Sequence, residues 1–89
     1  MKISYKVKYK KKAIKFIQSN KKIGLKFHKV FSEIAQDTDN IDLYDIKKMK
    51  GLENTKRLRI GKYRAIFTIE NNILTIEVLD INSRGGIYK

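Results

Sequence analysis

Apolar and polar residues alternate over the first ten positions of the chain. The apolar positions are Ile3, Tyr5, Val7 and Tyr9, and the residues between them are Ser4 and lysines. A period of two is typical of a β-strand with one apolar and one polar face. The start of the chain therefore predicts a strand whose outer face is basic.

The periodicity then becomes helical in two successive segments. The apolar residues of the two segments are Ala13, Ile14, Ile17, and then Phe27, Val30, Phe31, Ile34. The second set follows the i, i+3, i+4, i+7 spacing of one helix face. We expect Ser19-Asn20 to separate the helices, and the apolar sides of this helical hairpin to pack against a common layer.

The next segment is less decisive. Gln36 to Asn40 is polar and predicts a loop, whereas Ile41 to Lys50 fits either a short helix or an extended connection. Gly51 is the expected turn residue after it.

Strand patterns dominate the second half of the chain. Residues 56–60, 63–70 and 73–81 are predicted to be strands, separated by the two-residue turns Gly61-Lys62 and Asn71-Asn72. Glycine and asparagine tolerate the positive φ that such turns require. The order strand, two helices, three strands predicts one α+β domain over residues 1–89, with the helices on one face of a small antiparallel sheet.

The first of these turns fixes a register with a chemical consequence. If Gly61-Lys62 is the loop, Arg59 faces Arg64 and Arg57 lies two residues along the same face, away from the helices. Like charges opposite each other across two strands are destabilising, so a counter-anion is expected. Arginine binds phosphate oxygens bidentately, which favours a phosphate-binding face. A solvated basic face with splayed side chains is the alternative.

The overall charge points to the same class of partner. Twenty-one Lys and Arg against nine Asp and Glu give a net charge of +12. Such a field attracts nucleic acid, an anionic membrane surface or an acidic protein. No apolar run reaches the roughly 20 residues of a membrane span, and no signal peptide is evident. With no cysteine, a reducing cytoplasmic setting is expected.

A metal or other cofactor is not expected. His28, the only histidine, lies off the apolar stripe of its helix and is expected to be an exposed bystander. The acidic residues near position 40 lack the glycine and the glutamate of a calcium loop, and we expect them to pair with lysines.

Four stretches together resemble the RelE/ParE superfamily of type II toxins. They are residues 49–51, the arginine-rich segment 57–67 with its Gly-Lys-Tyr-Arg turn, residues 78–84, and the terminal Ile87-Tyr88. The strand–helix–helix start is similar to the family fold. The resemblance implies the toxin of a toxin–antitoxin system.

The RelE branch of that family cleaves messenger RNA in the ribosomal A site without a metal. By resemblance, Arg57 and Arg59 would hold the phosphates around the scissile bond, with Lys56 as a neighbouring phosphate ligand or proton carrier. Arg64 would stabilise the charge that develops on the phosphate in the transition state.

Two residues of the last segment complete the implied site. Arg84 would act near the leaving oxygen, and Tyr88 would either accept the proton of the attacking 2′-hydroxyl or stack on a base. Lysines replace Arg57 and Arg59 in some RelE relatives, so proton transfer depends here on Tyr88 or Lys56. Nearby arginines favour the phenolate of a tyrosine.

Partners and competing functions follow from the same resemblance. An acidic antitoxin, forming a hetero-oligomer with the toxin, would cover the basic sheet. The alternatives are a ParE-like inhibitor of DNA gyrase and a non-catalytic basic module that binds RNA or the ribosome.

Overall fold

The computed structural model of the protein describes residues 4–83. Two helices and five strands lie in that range, together with a 3₁₀ helix over Thr38–Leu43. The helices are α1 (Lys11–Ser19) and α2 (Lys21–Gln36). The strands are β1 (Lys6–Tyr9), β2 (Ile46–Lys48), β3 (Thr55–Ile60), β4 (Tyr63–Glu70) and β5 (Thr75–Ser83). The predicted α+β class is confirmed.

The sheet has five strands in the order β1-β5-β4-β3-β2. Its predicted fully antiparallel character is wrong in one pairing, because β1 runs parallel to β5, with Lys6 opposite Thr75 and Tyr9 opposite Val78. A period-two pattern shows which face a residue occupies but not the direction of the neighbouring strand. The helical connection carries the chain from one edge of the sheet to the other.

The helices cover one face of the sheet and form the core with it. Phe27 and Phe31 of α2 and Phe67 of β4 are fully buried. The rings of Phe31 and Phe67 meet edge to face, with centroids 5.1 Å apart, which is a favourable aromatic geometry. This aromatic contact joins the helical layer to the central strand.

The break between the helices lies where it was predicted. Asn20 leaves the helical conformation at φ −136°, and its backbone N–H and side-chain Nδ2 both donate to the carbonyl oxygen of Phe16. The two helices approach closely at Gly24, where an added Cβ would lie 3.0 Å from Cγ2 of Ile17. Glycine thus permits the close crossing that buries the inner face of α1.

Residues 41–50, for which the sequence allowed a short helix or an extended connection, contain helical and extended structure in turn. Residues 41–43 end the 3₁₀ helix, and residues 46–48 form β2 at the edge of the sheet. The preceding segment, which was predicted to be a loop, instead contains the end of α2 and the start of the 3₁₀ helix. Asp37 caps this 3₁₀ helix by accepting a hydrogen bond from the N–H of Asp39.

The first hairpin has the predicted register. Gly61 has φ +60°, Ile60 pairs with Tyr63, and Arg59 pairs with Arg64. A turn with glycine at its first position matches the twist of the two strands that it joins. The register on which the arginine argument rests is thereby confirmed.

The second hairpin differs from the prediction. Glu70 pairs with Thr75, so the turn spans residues 71–74 rather than Asn71-Asn72, and its left-handed residue is Leu74 at φ +48°. Ile73, predicted to start the strand, is 68% exposed. An irregularity at Leu79 shifts the register between β4 and β5. This bulge changes which residues face inward.

Candidate nucleic-acid interface

The face of the sheet opposite the helices, which is left uncovered by the other elements within residues 4–83, carries three arginines on two adjacent strands. Arg57 and Arg59 lie on β3, and Arg64 lies on β4 directly opposite Arg59. On its other side Arg64 faces Asn82 of β5. We call this set, Arg57, Arg59 and Arg64, the arginine face; the structure brings these three predicted residues together.

The three arginines differ in exposure. Arg64 is only 5% exposed, and it lies on β4, the central strand of the sheet. The Arg59 side chain is 50% exposed, and Arg57 is intermediate. A guanidinium keeps its charge even when it is buried. The face therefore presents a buried positive charge at its centre and more exposed charges on β3.

Arg59 already has an anionic neighbour within the chain. Its Nε lies 2.8 Å from Oδ2 of Asp45, and its backbone N–H donates to the carbonyl oxygen of Asp45. The expectation that the acidic residues of this segment pair with lysines is wrong for Asp45. The carboxylate also supplies part of the counter-charge for which an external anion was inferred.

This pair is weak enough to be displaced. Both side chains are well exposed, and ion pairs of that kind contribute roughly 0.2–1 kcal/mol. A phosphate that engages Arg59 together with Arg57 would exceed that. Asp45 thus acts as a replaceable partner that holds Arg59 in place on the arginine face.

The structure does not bring Lys56 to the arginine face. Lys56 lies between Thr55 and Arg57 on β3, so its side chain leaves the opposite side of the strand, where its cross-strand neighbours are Phe67 and Lys48. It lines a cleft on the side of the sheet that carries the helices. The other two predicted site residues, Arg84 and Tyr88, lie outside the described residues.

A polar contact on the helix side was missed by sequence reasoning. The hydroxyl of Tyr9 lies 2.7 Å from Nδ1 of His28, and burial raises the pKa of Tyr9 to about 12. His28 is exposed, as expected, but it is hydrogen-bonded. Its distance in the chain from Tyr9 left no local signal of this contact.

Two features are absent from the described region. Across residues 4–83, no three His, Asp or Glu side chains are grouped so that they could hold a metal ion. No helix in the same range has the length and apolar character needed to cross a membrane.

Comparison with known proteins decides the family. A family model described as "ParE toxin of type II toxin-antitoxin system, parDE" matches residues 7–88. The chain belongs to this family of toxins. The resemblance to the RelE/ParE superfamily is thus confirmed, while no curated protein matches the sequence.

Solved structures of RelE–RelB complexes are similar to this toxin in fold. The chain is 26% identical to a chain of the archaeal RelE–RelB complex from Pyrococcus horikoshii OT3, with a TM-score of 0.76, covering 92% of this toxin and 97% of that chain. A RelB–RelE complex from Methanococcus jannaschii matches with 25% identity and the same TM-score, covering 92% of this toxin and 95% of that chain.

A more distant match extends the comparison of the fold. A chain of the intact E. coli RelBE toxin–antitoxin complex shares 13% identity, with a TM-score of 0.72, 90% coverage of this toxin and 96% of that chain. The likeness therefore spans nearly the whole toxin and includes both layers of the fold.

Proposed function

We propose that this toxin is a metal-independent endoribonuclease that cleaves messenger RNA in the ribosomal A site. The observation that carries the proposal is the arginine face, with three guanidinium groups on the uncovered side of the sheet and one of them buried at its centre. The similarity to two archaeal RelE chains supports the choice of RNA as the polyanion.

In the proposed reaction the 2′-hydroxyl of one nucleotide attacks the adjacent phosphorus, and the 5′-oxygen of the next nucleotide leaves. A 2′,3′-cyclic phosphate results. Arg57 and Arg59 hold the phosphates on either side of the scissile bond. Arg64 stabilises the negative charge that develops on the phosphate oxygens, and its burial strengthens that interaction because solvent screens it less.

Two residues beyond the described range complete the proposal. Tyr88 accepts the proton of the 2′-hydroxyl or stacks on a base, and Arg84 assists the leaving oxygen. Arginine is a poor proton donor, so the site depends on charge stabilisation and on positioning by the ribosome more than on acid–base catalysis. Lys56 is assigned no role in this step, since its side chain leaves the other face of β3.

The partner proposed for the free toxin is a cognate antitoxin. Both archaeal relatives were solved with RelB, and the family is defined by toxin–antitoxin pairs. An acidic antitoxin segment would neutralise part of the +12 charge and cover the arginine face. Association should therefore weaken at high salt, where screening acts over a few Å.

The family description also supports an alternative function, inhibition of DNA gyrase. The matching family model is named for ParE, and inhibition of DNA gyrase is the corresponding alternative. An inhibitor that blocks gyrase by surface contact has no need of a buried guanidinium between two strands. The position of Arg64 thus favours the ribonuclease.

The decisive experiment maps messenger RNA 5′ ends in translating cells that express the toxin. Wild-type protein should produce cuts at ribosome-occupied codons. Arg64→Ala should lower the cleavage rate on purified ribosomes by about 100-fold or more, the usual loss when one transition-state donor is removed. Tyr88→Phe should lower it as well, if the hydroxyl and not the ring is required.

Matched variants separate catalysis from charge and folding. Lys29→Ala removes one positive charge from the exposed side of α2 and should cleave at the wild-type rate. Arg64→Lys keeps the charge but not the fork, and thermal unfolding establishes that each variant is folded. Intact messenger RNA together with cleaved chromosomal DNA would replace the proposal with gyrase inhibition. If both nucleic acids stay intact, a non-catalytic binding module remains.

A further inference from the structure

A second basic site lies on the opposite side of β3 from the arginine face. A cleft of about 750 Å³ opens there between the 3₁₀ helix, the connection from β2 to β3, and the end of β4. Ile41, Met49, Leu52 and Ile69 supply its apolar lining. Clefts of this size, with apolar walls and a few polar groups, are typical of small-ligand sites.

Two lysines face each other across the strands at this cleft. Lys48 of β2 pairs directly with Lys56 of β3, and both line the cleft. Like charges at directly opposite positions are destabilising. Within residues 4–83 neither ammonium group has a carboxylate oxygen within 4 Å, and Glu53 is the only acidic residue among the described lining residues. The pair therefore favours an external anion.

An amide donor is available at the far end of the cleft. Asn71 lines it, and the hydroxyl of Tyr5 donates to Oδ1 of Asn71 at 2.7 Å. This bond orients the amide group of Asn71. The Nδ2 atom of the same amide makes no hydrogen bond within the described range, so it is available as a donor. The cleft thus has two cations on one side and an amide donor elsewhere in its lining. Its walls are partly apolar.

We propose that this cleft binds a nucleotide. The phosphate lies between the ammonium groups of Lys48 and Lys56, the base packs on Met49 and Ile69, and Asn71 donates to the base. Lysine suits a phosphate because its ammonium is a compact charge with three donors. The arrangement therefore gives the paired lysines a counter-anion and the amide of Asn71 an acceptor.

The nucleotide can come from two sources. One is a free ribonucleoside monophosphate. The other is a flanking nucleotide of the RNA strand held by the arginine face, and this second source rests on the proposed function. β2 is the edge strand, and Lys47 pairs with Arg57 on the other face at the same edge. An RNA strand that rounds this edge would meet basic side chains on both faces.

The test measures binding by NMR titration of the full-length protein with each ribonucleoside 5′-monophosphate, inorganic phosphate, and a short single-stranded RNA with non-cleavable 2′-O-methyl groups. Backbone resonances of Met49 and Ile69 should shift on binding. Lys48→Gln and Lys56→Gln should each weaken binding by about tenfold, as expected for the loss of a charge-assisted contact. Lys50→Gln, an equal charge change at an exposed residue outside the cleft lining, should have little effect.

The outcomes distinguish a free nucleotide from an RNA strand, and they separate failure of the cleft proposal from failure of the ribonuclease proposal. Saturable shifts with a monophosphate identify a free nucleotide, and shifts seen only with the RNA identify the strand. The proposal is overturned if neither ligand shifts these resonances, if inorganic phosphate binds as tightly as the nucleotides, or if Lys50→Gln weakens binding as much as Lys56→Gln. Binding without messenger RNA cleavage would refute the ribonuclease alone, and cleavage without binding would refute the nucleotide cleft alone.

Discussion

The two faces of β4 show how the toxin separates stability from charge. On the face under the helices, Ala65, Phe67 and Ile69 are buried in the core. On the other face, Arg64 and Ile66 lie among the arginines of β3 and the polar residues of β5. A single strand thus contributes both to the core and to the arginine face, because alternate side chains leave opposite sides of a strand. Substitutions at neighbouring positions should therefore have different effects.

The largest effect on stability is expected at Phe67. Phe67→Ala removes a fully buried ring that contacts Phe31, and such truncations cost about 3–5 kcal/mol. Ile66→Ala, the adjacent position on the uncovered face, should cost clearly less, since Ile66 is only partly buried. Urea unfolding of both variants measures the difference. Equal losses would show that the uncovered face contributes as much to the core as the helical one.

A smaller effect is expected where the helices cross. Gly24→Ala gains about 1 kcal/mol of helix propensity but places a Cβ 3.0 Å from Cγ2 of Ile17 and 3.2 Å from its Cα. Overpacking typically costs about 1–3 kcal/mol, so a net destabilisation of about 1 kcal/mol is expected.

A double-mutant cycle checks the cause of that loss. Combining Gly24→Ala with Ile17→Ala removes the side-chain part of the contact, so Ile17→Ala should cost less in the Gly24→Ala variant than in the wild type. Additive free energies would mean that the close crossing is not the source of the destabilisation.

The covered side should also respond to high pH through Tyr9. Burial raises the pKa of this phenol from 10.0 to about 12, so the folded state retains a proton that the unfolded state loses. This contribution to stability is complete below pH 10 and is lost as the pH rises toward 12. The free energy of unfolding should thus fall less steeply over that interval for Tyr9→Phe than for wild type. Identical slopes in pH-dependent urea unfolding would contradict this assignment.

The smallest change in stability is expected on the uncovered face, at Asp45. Asp45→Asn weakens an exposed ion pair with Arg59 and should cost less than about 1 kcal/mol. Under the proposed function it should also raise RNA affinity a few-fold, because a carboxylate no longer competes with phosphate. Fluorescence anisotropy with a labelled non-cleavable RNA measures this. Asp42→Asn, an exposed neighbour without a contact to Arg59, is the control.

The same contrast explains which parts of the fold were predictable. The register of β3 and β4 follows from local information, since Gly61 can adopt the required positive φ and alternation then assigns each arginine to a face. The β4–β5 turn did not follow, because its left-handed residue is Leu74 and the strand contains a bulge. Neither feature has a strong sequence signal.

The site was predictable to a similar extent. Alternation that places Arg57 and Arg59 on one face necessarily places Lys56 on the other, so a signal against grouping them was present in the sequence. The opposition of Lys48 to Lys56 was not accessible, since it required β2 to be recognised as a strand. The contact of Asp45 with Arg59 depends on the same strand and was missed for the same reason.

The parallel pair of β1 and β5 has a consequence for the synthesis of the toxin in the cell. Residues 6–9 find their partners at positions 75–78, so β1 cannot join the sheet until nearly all of that sequence has left the ribosome. Contacts between such distant segments raise the contact order and slow folding. The edge of β1 that pairs with β5 would therefore stay unpaired for most of the synthesis of this segment, and the sheet would close late. Delayed closure leaves a newly made chain time to meet other molecules before its fold is complete.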